Sequence, residues 1–363
     1  MSVTKKVCNP HSKKLRLILF ISLVLAISLA VYTISCVPKK SELTPIRIGW
    51  QVAWATQGQI AQILKHTNIL ELNGLKGDFK GFTYGAPLNE AALAGEIDVG
   101  FVADQPAASL IARGGKFKIV ARLIDFRAGI IVPSDSEVRQ VSDLKGKTLA
   151  IPFGSSTHRM VLGMLKNSGL DPDKDIKILN MDISEQASVV LAGNKKVWKG
   201  NIDALASWDP NIAIFEDKGL AKVLKDEPGL AVVYLSEDFI KKHPDAAVAF
   251  LKAYIESYYY YATHQDRANQ WFAEEARIQF DPSLLNMAGS FEPNLKAKSI
   301  EDIDIKIYER HIKMMEEGAD FGFSLKLTAV RPDMRAVTDI TLLSEAIQKL
   351  QEKPFDFLKV LVR

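Results

Sequence analysis

The sequence predicts an α/β protein built as two similar lobes around a cleft, on three observations. Apolar runs of strand length alternate with stretches of helical periodicity, the arrangement that gives a largely parallel sheet. One pattern occurs twice, as Gly95-Glu96-Ile97-Asp98-Val99-Gly100-Phe101-Val102-Ala103-Asp104-Gln105-Pro106 and as Gly200-Asn201-Ile202-Asp203-Ala204-Leu205-Ala206-Ser207-Trp208-Asp209-Pro210. Each copy reads as a helix stop, Gly-x-Ile-Asp, a short apolar strand and an acidic-proline turn. The third observation is size: 363 residues, 47% apolar and 25% charged, suffice for two cores of ordinary dimensions. Ligands of open α/β sheets sit at the carboxyl ends of the strands, so the doubled unit points to a small-molecule site between lobes.

The chain begins with the three parts of a secretory signal over residues 1–35. A basic region ends at Arg16, an apolar run spans Leu17 to Val31, and small residues lead to Ser35-Cys36. The competing reading is an uncleaved membrane anchor, for which the run is slightly short. Cys8 and Cys36 are the chain's two cysteines, so the mature protein would keep one thiol at its first residue and no internal disulfide. Formal charge is +3, but residues 1–35 hold five basic and no acidic side chains; without them 41 basic face 43 acidic groups, a net of −2. Nothing in the body suggests nucleic acid. Residues 36–45 read as a tether.

Ile46 to Trp50 reads as the first strand and Gln57 to His66 as an amphipathic helix, with Ile60, Ile63 and Leu64 at helical spacing. Asp78 to Tyr84 is a strand, Asn89 to Ala94 a helix that Gly95 terminates, and Ile97 to Val102 a strand. Gln105 to Ala112 is a helix capped by Asp104. Phe117 to Leu123 and Ala128 to Val132 read as separate strands. From about Ser134 a second unit runs through a short turn-helix at Val141 to Lys147, then strands Thr148 to Ile151, Ile176 to Leu179, Ile202 to Ala206 and Leu230 to Leu235. Between them lie helices at Ser156 to Asn167, Glu185 to Ala192 and from Ala213. The remainder is helical: Pro244 to Thr263, Arg267 to Ala276, Ile303 to Gly318 and Thr341 to Gln351. Tyr258 to Tyr261 is expected to pack this part onto its lobe.

The sharpest local signal is Thr148 to Arg159: a strand, a Gly-hydroxyl turn and a helix start. Ser155, Ser156 and Thr157 can cap the orphan N–H groups of that helix, and the same N–H groups and dipole form an anion site. Three hydroxyls exceed the need of one cap. His158 and Arg159 place positive charge in a first turn that normally prefers acids, a conflict a bound anion would remove; a solvent-facing Arg159 remains the alternative. No His-Glu-x-x-His, Gly-x-Ser-x-Gly or Gly-x-x-x-x-Gly-Lys occurs, which argues against metal hydrolysis and these nucleophile and phosphate-loop chemistries. Asp171 to Asp175 starts like a calcium loop, but Ile176 stands where Gly is needed, so it reads as a turn.

Asp143-Leu144-Lys145-Gly146-Lys147, Gly154-Ser155-Ser156-Thr157-His158 and Trp208-Asp209-Pro210 resemble the second lobe of solute-binding proteins of the nitrate/sulfonate/taurine class of ABC transporters. Gly95 to Pro106 resembles their first lobe, and His243-Pro244 with Phe250 to Tyr254 their return helix. Thr33-Ile34-Ser35-Cys36 resembles a bacterial lipobox, with Tyr32-Thr33 where an aliphatic residue is usual. The resemblance implies a two-lobed type II periplasmic-binding fold with crossovers near Val132 and Leu235 and a ligand in the interlobe cleft. Lobe 1 would comprise 46–132 plus 236–363 and lobe 2 133–235. It implies no catalysis, cofactor or metal, a lipid on Cys36 holding a monomer to the membrane in the periplasm or on the outer face of the cytoplasmic membrane, and an ABC permease as partner.

The implied ligand is a small anionic organic solute, sulfonate- or taurine-like or nitrate-like. Its site would comprise Trp50, Gln51, Trp54, Asp104, Gln105, Pro106, Ser155, Ser156, Thr157, His158, Trp208 and Asp209. The two aspartates suit an amine on the ligand or cap helices, and Trp50 and Trp54 suit an aromatic wall or the core. The alternatives are a thiamine-pyrimidine precursor binding protein or a related enzyme, and a solute-sensing domain. The sequence departs from the family at Gly193 to Lys199, so the basic approach through Lys195, Lys196 and Lys199 is expected to mark the rim that sets specificity.

Overall fold

In a computed structural model that describes residues 42–277 and 284–363, eight strands form one continuous mixed sheet in the order β2-β1-β3-β8-β4-β7-β5-β6. The leader, Cys36 and the first six residues of the tether lie outside the described residues, and β1 takes up its last two, Thr44 and Pro45. Strands β1 (Thr44–Gln51), β2 (Leu75–Phe82) and β3 (Val99–Ala103) run parallel, as do β5 (Thr148–Ile151), β6 (Lys177–Asn180) and β7 (Ala204–Trp208). The two parallel groups hang on an antiparallel pair, β4 (Phe117–Pro133) and β8 (Ala221–Ser236). β3 joins this pair along residues 231–235 of β8, and β7 joins it along residues 128–131 of β4.

This pair corrects the sequence reading in two ways. Phe117 to Leu123 and Ala128 to Val132 are one strand, because Asp125 to Arg127 stay paired with Gly229 and its neighbours instead of turning. Leu230 to Leu235 is only the second half of a strand that starts at Ala221, ahead of Pro228 and Gly229. The expected crossover points, Val132 and Leu235, each lie one residue before the end of one of these strands. The pair's outer neighbours change from β3 to β7 around the register shift between Arg122 and Asp125.

Helices α1 (Gln57–His66), α2 (Ile69–Leu72), α3 (Gly85–Leu93) and α4 (Asp104–Ala112) follow the first group of strands; α5 (Ser156–Asn167), α6 (Ile183–Leu191) and α7 (Asn211–Asp217) follow the second. α1 and α5 have the bounds the periodicity predicts. α3 starts four residues earlier than predicted, at Gly85. The doubled unit has the same internal logic in both copies. Gly95 and Gly200 sit in the left-handed region, φ 74° and 80°, where glycine alone has no steric cost. Asp98 Oδ2 then accepts the backbone N–H of Arg47 at 2.8 Å, and Asp203 Oδ2 that of Thr148 at 2.9 Å. Their own N–H groups return to the carbonyls of the same two residues. Each aspartate thus pins its strand to the parallel neighbour.

The chain continues through α8 (Glu237–Lys242), α9 (Pro244–Thr263), α10 (Gln265–Glu275), α11 (Leu285–Gly289), α12 (Glu309–Ser324) and α13 (Thr341–Glu352). Residues 43–363 form one compact unit. α9 lies on α1 and α13, and Tyr254 and Tyr258 donate their hydroxyls to the carbonyl of Leu123 in β4. The tail grips that strand as well. Glu292, fully buried, receives Arg122 through both oxygens at 2.6 and 2.9 Å and also accepts the N–H of Asp125. Ile119 donates to the carbonyl of Val337 and accepts from Asp339.

Candidate functional site

The carboxyl ends of β1, β3 and β7 and the start of α5 converge on a narrow pocket of about 270 Å³, open solvent included. Of the residues singled out in the sequence, Gln51, Trp54, Pro106, Ser155, Ser156, Thr157 and Trp208 line it. Tyr84, Gly85, Ala103 and Phe126 also line it and were not anticipated. The available signal was the Tyr84-Gly85 start of α3, whose first turn reaches Pro106. Phe126 carried none, because it lies where the two-strand reading left a gap.

The loop after β1 is held by Gln57, another residue the sequence reading missed. Its amide donates to the carbonyls of Gln51 and Trp54 at 2.5 and 2.8 Å and accepts the N–H of Gln51. Thr56, β-branched, sits at φ 70°, a conformation that costs of order 1–3 kcal/mol and is retained here by the side chain of Gln59 on its N–H. The loop delivers Trp54, which meets Phe126 edge-on at 4.9 Å. Trp208 arrives at the end of β7. Both indole N–H groups are buried and make no hydrogen bond. Trp50, one position before Gln51 in β1, is 1% exposed in the core and does not line the pocket.

The three hydroxyls have separate tasks. Ser155 caps α5, accepting the N–H of His158 at 3.1 Å and donating to the carbonyl of Pro152. Ser156 donates to Asp104 Oδ1 at 2.5 Å and accepts the N–H of Gln105 at 3.0 Å. Thr157 is left as the hydroxyl without a hydrogen bond among the described residues. The first-turn N–H groups of Ser156 and Thr157 lack intrahelical acceptors, so the pocket faces free donors and the positive end of the α5 dipole.

Five of the twelve anticipated residues do not line the pocket: Trp50, Asp104, Gln105, His158 and Asp209. The aspartates are already satisfied. Asp104, fully buried, takes Arg159 on Oδ2 at 2.5 Å in addition to Ser156 and Gln105 on Oδ1. Asp209 holds Arg127 through both oxygens at 2.9 and 3.0 Å and caps Ala213. Arg159 thus ties α5 to α4 through Asp104. Gln105 turns toward α12, where its amide lies against Gly318 and Gly322. His158 stacks on Phe153 at 4.8 Å and meets Phe321 of α12 at 5.6 Å; burial pushes its pKa down to about 4. It is therefore neutral near pH 7. Lys195, Lys196 and Lys199 precede β7 and so lie at the strand end opposite Trp208; Lys196 lines a separate polar cavity with Asp135 and Glu137.

None of the lining residues carries a formal charge. The pocket offers donors and aromatic faces, chemistry that suits a ligand with an acceptor-rich head and an apolar body. Among the described residues no group of three or more His, Cys, Asp or Glu side chains could hold a metal ion.

A family model described as the NMT1-like family matches residues 39–274. The chain is 25% identical over 319 residues to a Bacillus subtilis (strain 168) protein named for aliphatic sulfonate binding, covering 85% of this chain and 87% of that one. It is 28% identical over 228 residues to the taurine-binding periplasmic protein of Escherichia coli (strain K12), 59% of this chain and 67% of the other. Among solved structures, the alkanesulfonate-binding protein SsuA from Xanthomonas axonopodis pv. citri bound to MOPS superposes with a TM-score of 0.67 at 23% identity, covering 83% of this chain and 99% of its own. The desulfurization enzyme DSZB shares the fold with a TM-score of 0.61 at 13% identity, covering 84% of this chain and 99% of its own.

Proposed function

The chain belongs to the NMT1-like family and has the periplasmic-binding-protein fold, and from that premise we propose that it is the extracytoplasmic solute-binding component of an ABC importer for a small organic sulfonate. The observation that carries the reading is the pair of buried, unpartnered indole N–H groups on Trp54 and Trp208, beside Thr157 and the start of α5. Leaving a buried donor unpaired costs about 1–3 kcal/mol. A sulfonate head, with three acceptor oxygens and one negative charge, satisfies such donors without a cationic side chain. Trp54, Phe126 and Trp208 then wall the carbon body. The names of the relatives, for aliphatic sulfonate and taurine binding, agree.

Binding serves transport, not turnover, in this reading. The halves of the sheet act as two lobes that close by a hinge within β4 and β8, and a membrane permease receives the solute. Export, cleavage before Cys36 and a lipid on that residue hold a monomer at the outer face of the cytoplasmic membrane. A taurine-like zwitterion is the weaker ligand, because Arg159 and Arg127 already neutralise the two aspartates that would meet its amine.

Calorimetry with methanesulfonate, benzenesulfonate, taurine, nitrate and a neutral pyrimidine tests the proposal. Sulfonates without an amine are expected to bind most tightly. Binding of the pyrimidine alone would sink it.

A further inference from the structure

The two segments that carry the unpaired indoles meet at an arginine that does not line the pocket. Phe126 of β4 is a lining residue; Arg127, the next residue, is not. The Arg127 guanidinium donates to both carboxylate oxygens of Asp209, through Nε at 3.0 Å and Nη2 at 2.9 Å. Its Nη1 donates to Glu216 of α7 at 3.0 Å, and the ring of Phe291 lies 5.3 Å from the same group. The backbone adds a link, because Asp209 donates its N–H to the carbonyl of Arg127 at 3.4 Å. Asp209 directly follows Trp208. Its own carbonyl accepts the N–H of Ala55 at 3.4 Å, one residue past Trp54. Arg127 is thus tied to Asp209 directly and to Ala55 through it, the residues next to the two indoles whose buried Nε1 atoms have no partner.

We propose that Arg127 is a positioning residue for solute binding: through Asp209 it aims both indole donors at the anionic head without touching the ligand. The inference rests on the sulfonate reading of the pocket and adds the group that sets its geometry. Neither indole has a hydrogen bond of its own to hold it, so the aim of each N–H follows the backbone that carries it. A hydrogen bond weakens steeply as its angle closes, and a planar fork on one carboxylate fixes direction as well as distance. The charge of Arg127 is already matched by Asp209 and Glu216. What it supplies to the pocket is therefore orientation, not attraction.

The test separates aim from stability, with methanesulfonate titrated calorimetrically and unfolding followed in urea. Arg127→Met alone strands a buried carboxylate and should lower the urea midpoint. Adding Asp209→Asn removes that charge and should return the midpoint toward that of the unaltered protein, while affinity stays at least roughly tenfold weaker, the worth of one misdirected bond to a charged group. Arg127→Lys keeps the charge and loses the fork; it should lose at least about threefold in affinity, part of one such bond. In the Arg127→Met/Asp209→Asn background, Trp208→Phe should cost less than about threefold, against roughly tenfold or more in the unaltered protein, because the donor it removes is no longer aimed. Affinity that recovers together with stability, full affinity in Arg127→Lys, or an equal cost of Trp208→Phe in both backgrounds overturns the positioning role and leaves the sulfonate pocket standing. Failure of every sulfonate to bind the unaltered protein overturns both.

Discussion

Replacing Trp208 by Phe should separate binding from folding. The residue is 5% exposed and its Nε1 has no partner. Phenylalanine removes that buried donor, which relieves about 1–3 kcal/mol of desolvation cost in the empty protein. It also leaves roughly 40 Å³ unfilled, a loss near 1 kcal/mol at about 24 cal/mol per Å³. The two effects nearly cancel, so unfolding stability is expected to hold steady or rise by about 1–2 kcal/mol. Affinity for a sulfonate should fall by about 1.5–3 kcal/mol, the worth of a hydrogen bond to a charged group, or roughly 10- to 150-fold. Trp54→Phe should behave alike, whereas Trp50→Phe, in the core, should cost stability and leave affinity unmoved. Urea unfolding of the free protein, paired with calorimetric titration, reads both quantities. If Trp208→Phe loses stability and retains full affinity, the indole is a packing group and the case for an acceptor-rich ligand fails.

Three further outcomes follow from the same site. Thr157→Val should weaken sulfonate binding by about 1.5–3 kcal/mol, while Ser155→Ala should cost about 1 kcal/mol of stability as a lost helix cap, both read by titration and denaturation. Arg159→Met should destabilise the fold by about 3–5 kcal/mol, because it strands the buried Asp104 carboxylate; in a double-mutant cycle with Asp104→Asn much of that loss should be recovered, and additive effects would refute the pairing. Stability should also decline on acidification. His158 has a folded pKa of about 4 against an ordinary value near 6.5, so the unfolded chain binds the extra proton between these values. The stabilisation is complete above pH 6.5 and is lost progressively down to pH 4, about 3 kcal/mol in all; His158→Phe should flatten that part of the profile.

Much of the frame is legible because its signals are local. Helical spacing brackets α1, a hydroxyl cap marks the start of α5, and the doubled Gly-x-Ile-Asp marks two strands whose ends reach the pocket. The long β4 and β8 escape the sequence because Asp125 and Arg127, or Pro228 and Gly229, interrupt an apolar pattern that tertiary pairing overrides. The roles of Asp104 and Asp209 escape for another reason. Their partners lie 55 and 82 residues away, and a carboxylate in a turn looks the same whether it awaits a ligand or an arginine. His158 stacks on nearby Phe153 and also meets Phe321 of α12, far down the tail, a contact no local pattern reveals.

The paired β4 and β8 have a mechanical consequence. Both halves of the sheet hang from one two-stranded ribbon, which Glu292 and Arg122 brace at its midpoint. Spreading the pocket walls must flex this ribbon as a leaf spring flexes, with its ladder intact. Amide protons of β4 and β8 should then resist deuterium exchange through every opening event, while those at the starts of α4 and α5, across the gap, exchange at the rhythm of the motion.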